Sequence, residues 1–272
     1  MHRSLSDIGS SLTALVTPFR DGGVDWTALC RLAERQVARG TAALVICGST
    51  GEAASLILSE YARAIRSVVE VTAHCAPVIV GCTTLVTSAA VTMGIEAASA
   101  GADALLCAVP PYVKPTQEGI IAHIRAIAHA TDLPVVLYDV PSRCGDDFLQ
   151  WSGDDATAPA YRAMGGTGCI SVTANVAPAL CALLHRSWDS GDLVRFAALR
   201  DLLDLLNAVL FKESNPIPVK AALAGLGLCT DEVRLPLTRA TLATQELLLK
   251  LMPPVMLAEE HAAHEPMFAL AS

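Results

Sequence analysis

Gly48-Ser49-Thr50-Gly51-Glu52 packs two glycines, two hydroxyls and a carboxylate into five residues. Glycines let a backbone approach a ligand closely, and hydroxyl and N–H donors can hold a carboxylate. Tyr138 closes an apolar run, and a phenol can move protons in a reaction. It leads into Asp139-Val140-Pro141-Ser142-Arg143, where the arginine offers a fixed fork of donors suited to a carboxylate. Three more groupings follow: Ser152-Gly153-Asp154-Asp155, Ile170-Ser171-Val172-Thr173-Ala174-Asn175 and Asn215-Pro216-Ile217-Pro218-Val219-Lys220. Singly, each has a plain structural reading. A Gly/Ser/Thr loop is often an ordinary turn, a tyrosine is usually packing, and a lone arginine is usually on the surface. His261 and His264 beside Glu260 and Glu265 do not make a metal site, which needs three or four ligands. No metal and no organic cofactor are expected.

The elements that must position these groups alternate. Strands are expected at Thr13–Thr17, Ala43–Cys47, Val78–Gly81, Ala104–Val109 and Val135–Tyr138. Helices are expected between them at Trp26–Ala38 (capped by Asp25), Ser59–Thr72 (capped by Ser59), Thr87–Ser99 and Thr116–Ala130. The strands lack polar alternation, as expected where both faces of a parallel sheet are buried. The βαβα rhythm implies a parallel α/β protein. After Arg143 the rhythm fails. Phe148–Trp151 reads as a strand, antiparallel if Cys144–Asp147 makes a turn. A short helix near Thr157–Met164 and a strand at Cys169–Thr173 follow, then Leu/Ala-rich helices over Ala177–Met256, broken at Asn215-Pro216 and Leu235-Pro236. The boundaries are a barrel over 1–176, C-terminal helices packed on it over 177–256, and a loosely ordered tail over 257–272.

Of the 272 residues, 53% are hydrophobic and 17% charged, so the chain folds compactly. A net charge of −8 argues against nucleic acid or an anionic membrane surface as partner. Nine cysteines without a C-x-x-C pair read as reduced thiols of a cytoplasmic protein. Met1–Asp7 has no apolar run, so export is not expected. Val71–Ile95 carries no formal charge, but His74, Pro77 and Gly81 break it, so no membrane span is expected.

Together and in this order, the motifs resemble the dihydrodipicolinate synthase and N-acetylneuraminate lyase family, synthase branch, from about Thr13 to Thr238. The resemblance implies a TIM (β/α)8-type barrel with a C-terminal helical region, assembled as a homo-oligomer, a tetramer in the family. It implies a lyase of lysine biosynthesis that condenses pyruvate, bound as an imine on a lysine, with aspartate semialdehyde. Gly48 and Thr50 would belong to the pyruvate-carboxylate loop, and Gly153 and Ile170 would line the pyruvate pocket. Tyr138 and Ser49 would relay protons with Tyr112 from a neighbouring subunit, and Arg143 would bind the second substrate's carboxylate. Tyr112 stands alone in Pro111-Tyr112-Val113-Lys114, one residue shorter than the family's pair of tyrosines, so it either fills that role or is displaced from it.

The departure is large. The family places a helix, a strand bearing the Schiff-base lysine and another helix between the Arg143 motif and Ser152. Only Cys144–Trp151 lies there, without a lysine. The expected barrel therefore lacks one strand and two helices after Arg143, and its chemistry lacks the amine. The remaining lysines are Lys114, Lys212, Lys220 and Lys250. Lys220 belongs to a motif the family keeps outside the pocket, and Lys114 lies on a rim loop. The competing expectations are a catalytically inactive paralogue that binds keto acids or only assembles, and another keto-acid aldolase of the same family. Leu85 and Ala89 stand where lysine-inhibited synthases carry an asparagine and a glutamate, so feedback by lysine is expected to be lost.

Overall fold

The computed structural model describes residues 8–73, 75–110, 113, 115–138 and 150–265. The chain opens with β1 (Ser11–Ala14), a small hairpin of β2 (Phe19–Arg20) and β3 (Gly23–Val24), and helix α1 (Trp26–Ala38). α1 forms where expected because Ala28, Leu29, Leu32, Ala33 and Gln36 recur on one face and are buried. Asp25 caps it, its Oδ1 accepting from the Ala28 N–H at 2.9 Å.

Then come β4 (Ala43–Ile46), α2 (Leu58–Thr72), β5 (Val78–Gly81), α3 (Thr87–Ser99), β6 (Ala104–Ala108), α4 (Gln117–Ala128) and β7 (Val135–Tyr138). β8 (Trp151–Ser152), α5 (Ala158–Ala163) and β9 (Gly168–Ser171) follow, and α6 (Pro178–Asp189), α7 (Leu193–Leu210), α8 (Ile217–Gly225) and α9 (Leu242–Ala263) complete the described chain.

Seven of these strands form one sheet in the order β7-β6-β5-β4-β1-β9-β8, every pair parallel. β4, β5 and β9 are buried along their whole length, which explains the apolar runs of β4 and β5. The sheet curls so that Leu12, Ala43, Val45, Ile79, Ala104 and Ile170 meet inside it. The opposite residues, such as Leu44, Val80 and Leu105, pack under the helices in a larger cluster shared with α6, α7, α8 and α9. This is a TIM-barrel-type α/β architecture, as expected. β7 sits at one end of the sheet order, and its residues are less buried, with Leu137 and Tyr138 exposed.

Several boundaries differ from the sequence reading, and four of the differences have a visible cause. β1 starts two residues earlier and ends three residues earlier than expected, because the Asn175 side chain takes over the ladder at its end. Asn175 Nδ2 donates to Ala14 O at 2.7 Å, and its Oδ1 accepts from Val16 N at 3.1 Å. α2 begins at Leu58 with Ile57 as its cap, not Ser59; the Glu60 carboxylate accepts the Ile57 N–H at 3.2 Å. Of the expected strand Phe148–Trp151, Phe148 and Leu149 lie outside the described residues; Trp151–Ser152 forms β8 and runs parallel to β9, rather than in the antiparallel direction expected of a turn. That direction packs Trp151 against the interior cluster and lets its Nε1 donate to Gly9 O at 3.2 Å. Finally, α9 continues through Pro253 and Pro254 to Ala263, past the expected start of the tail, because Met252, Val255, Glu259 and Ala262 are buried on one face.

Candidate active site

In a parallel sheet all strands end on the same rim, so the ends of β4, β7, β8 and β9 share one mouth. The loop after β4 is Gly48–Glu52. It is entered and left by residues in the left-handed backbone region, Cys47 at φ 51° and Glu52 at φ 51°. Non-glycine residues rarely adopt this conformation, so neighbours must hold it. Gly81 of β5 makes room on one side: a Cβ there would lie 2.3 Å from Cys47 O. Thr17 Oγ1 donates to Gly51 O at 2.7 Å, and Thr50 Oγ1 accepts from Asn215 Nδ2 at 2.8 Å. Thr50 is buried, whereas Ser49 is exposed and the Cβ direction of Gly48 opens on empty space. The loop is clamped from below and open above.

The deepest clamp is electrostatic. Lys220 Nζ donates to Glu52 Oε1 at 2.6 Å, and Arg234 N donates to Glu52 Oε2 at 3.0 Å. The Lys220 ammonium lies 4.2 Å from the centroid of the Phe19 ring, and the Arg234 guanidinium lies 4.3 Å from it. Arg234 also grips Glu60 through both Nη atoms, at 2.7 and 2.6 Å. Burial pulls the Lys220 amine below the usual lysine range, and the Glu52 charge opposes that shift. A depressed amine suits imine chemistry only where a ketone can reach it. Lys220 is fully buried and its ammonium is already engaged. Lys212 and Lys250 are exposed on the outer helical layer, and Lys114 lies outside the described residues.

Tyr138 ends β7, and Gly153 follows β8. These strands stand at opposite ends of the sheet order, yet the tyrosine ring reaches across. A Cβ on Gly153 would lie 2.9 Å from both Tyr138 Cε2 and Oη. The curl thus brings two of the expected site residues together. Ile170 faces the barrel interior and is buried. Ser49 shares the rim with Tyr138, separated by β5 and β6 in the sheet. Tyr112 and Arg143 lie outside the described residues.

The second carboxylate of Ser152-Gly153-Asp154-Asp155 has a positioning task that the sequence reading missed. Asp155 is buried and accepts from Ser171 Oγ at 2.5 Å, Val172 N at 2.8 Å and Thr173 N at 3.1 Å. Burial raises its pKa, and these hydrogen bonds oppose the rise. It fixes the end of β9, and with it Ile170. Asn215 was also missed as the partner of Thr50. Both stand in motifs that the sequence singles out, but nothing local signals what they bond. Among the described residues no group of three or more His, Cys, Asp or Glu could hold a metal ion, and no helix is long and apolar enough to cross a membrane.

A profile described as the dihydrodipicolinate synthetase family matches residues 7–149 and 142–253. The chain is 42% identical to the 4-hydroxy-tetrahydrodipicolinate synthase of Rhodospirillum centenum, with 87% of this chain and 94% of that one covered. That match extends over 275 residues, a stretch longer than the 272 residues of this chain. A solved monomeric dihydrodipicolinate synthase variant superposes with a TM-score of 0.88 at 34% identity, covering 92% of this chain and 97% of that one. The chloride-inhibited dihydrodipicolinate synthase from Acinetobacter baumannii, complexed with pyruvate, gives a TM-score of 0.85 at 34% identity, covering 92% of this chain and 99% of that one.

Proposed function

The chain belongs to the dihydrodipicolinate synthetase family, and on that premise we propose that it keeps the pyruvate side of the family's condensation site without the amine that makes the reaction covalent. In this reading Gly48 and Thr50 hold the pyruvate carboxylate, and Gly153 and Ile170 line its pocket. Tyr138, Ser49 and a neighbouring subunit's Tyr112 are the proton relay of the condensation. Arg143 receives the carboxylate of the aldehyde partner, aspartate semialdehyde. The protein works as a cytoplasmic homo-oligomer, without metal or organic cofactor.

One observation carries this reading: Lys220, the buried lysine at this end of the barrel, is closed into an ion pair with Glu52, and no lysine lies between Arg143 and Ser152. The chain lacks one strand and two helices of the family barrel, placed after Arg143. The family profile matches in two pieces that overlap at 142–149, which supports that placement, and the alignment to the Rhodospirillum relative is longer than the whole chain, which supports a missing segment. The exposure of Leu137 and Tyr138 on β7 agrees with a lost neighbouring strand.

The test is calorimetric titration with pyruvate, alongside incubation with pyruvate and borohydride followed by mass spectrometry. Saturable, reversible binding with no reduced adduct is expected. A stoichiometric adduct on Lys114 or Lys220 would overturn the proposal in favour of an active lyase. Absence of any pyruvate binding would overturn it in favour of a protein that only assembles.

A further inference from the structure

We propose that Cys82 and Cys107 form a peroxide-reactive dithiol that closes to a disulfide within the folded protein. The pair stands on the outer face of the sheet at the ends of β5 and β6. Gly81 is in register with Leu106, and Cys82 N donates to Leu106 O at 3.0 Å, so Cys82 sits directly opposite Cys107. Their sulfurs lie 3.0 Å apart. Neighbouring strands are about 4.8 Å apart, inside the Cα separation that a disulfide spans, and an S–S bond of about 2.05 Å needs the sulfurs to close by only about 1 Å.

Both thiols are buried, so access depends on the cover. That cover is the seam of α2 and α3, joined by Tyr61, whose hydroxyl donates to Gly81 O at 3.1 Å and reaches Met93 O at 3.4 Å. α3 is held mainly through small residues. Its N-cap Val86 gives no side-chain bond to the first turn, which is tied to α4 by Thr87 Oγ1 and His123 Nδ1 at 2.9 Å, and its buried residues are Ala90, Gly94 and Ala97, with Val91, Met93 and Ala98 partly buried. Small residues bury little apolar area, and an uncapped turn frays, so local opening here costs less than global unfolding.

The two thiols also share a hydrogen bond in which either sulfur can donate, so the thiol that accepts it is the readier of the two to ionise. Burial pushes Cys47 up to about 12 and Cys229 up to about 11, and raises Cys169 and Cys181 well above the ordinary thiol range. The thiol that accepts the shared hydrogen bond is the attacking one. Its thiolate sulfur attacks hydrogen peroxide, the O–O bond breaks, and the departing hydroxide takes up a proton as water, leaving a sulfenic acid. The other sulfur then attacks it, the S–O bond breaks, and the hydroxyl leaves with the second thiol's proton as a second water. Both electrons lost by the thiols reduce the peroxide.

The test treats the full chain with hydrogen peroxide under native conditions, followed by thiol counting and peptide mapping without reductant. A loss of two free thiols and one linked pair joining Cys82 to Cys107 is expected. Cys82→Ser and Cys107→Ser should each abolish the linked pair, and at least one of the two variants should leave its remaining thiol as a sulfenic acid trapped by dimedone. Oxidation confined to the exposed Cys75, or linkage of Cys82 to Cys107 that appears only in denaturant, would overturn the proposal.

Discussion

Lys220 and Glu52 form a closed ion pair beneath the loop that follows β4: Nζ lies 2.6 Å from Oε1, and the side chains are 0% and 2% exposed. Two buried charges at this distance stabilise each other only as a pair, because each alone would bear its full desolvation cost. Glu52→Gln leaves an unneutralised ammonium in the core and should cost about 3–5 kcal/mol. Glu52→Gln combined with Lys220→Met should cost clearly less than the sum of the single changes. Urea unfolding of the three variants measures this, and strict additivity would show that the two side chains are not coupled.

Acid should weaken the fold through His185. This histidine is 3% exposed, its Nδ1 has no hydrogen-bond partner, and burial, aided by the Arg162 charge, lowers its pKa to about 4. A folded pKa below the unfolded value of about 6.5 means that the unfolded chain binds the proton more readily. The stability from the neutral ring is thus fully present above pH 6.5 and is lost as pH falls towards 4. The loss is about 3 kcal/mol by pH 4. Urea midpoints between pH 7 and pH 4 test this, with His185→Leu expected to flatten the slope. An unchanged slope would assign the acid sensitivity to other groups.

The strands at the two ends of the sheet should exchange fastest. β7 is half-buried to exposed along its length, with Leu137 60% and Tyr138 49% exposed, whereas β4 is fully buried. Hydrogen exchange by mass spectrometry should find Val135–Tyr138 less protected than Ser11–Ala14 and Ala43–Ile46. Equal protection in an isolated monomer would mean that the sheet is closed against solvent at both ends.

Free lysine should not bind near the start of α3. Leu85 and Ala89 are exposed there and offer no partner to an amino acid's charges. Calorimetric titration should show no saturable heat; tight, stoichiometric binding would contradict this.

Much of this architecture is legible before folding. The apolar strands and the periodic helices dictate a parallel sheet, and Asp25 marks the start of α1 because its cap is satisfied three residues away, by Ala28. In a parallel sheet a motif that follows a strand must lie at the mouth, so Gly48–Glu52, Tyr138 and Gly153 could be placed on one rim from their sequence positions alone. The boundaries at β1 and β8 were not legible, because they depend on distant partners: Asn175 for the first, Gly9 and β9 for the second.

The sequence by itself determined the order of elements, the rim on which the motifs gather and the absence of a lysine between Arg143 and Ser152. These follow from local periodicity and from residue identity. Only the tertiary structure decided that Lys220 is spent on Glu52, 168 residues away, that Thr50 is held by Asn215, 165 residues away, and that Cys82 faces Cys107. Such pairings depend on strand register and sheet curl, which are set by the packing of the whole core and leave no mark on the residues that they bring together.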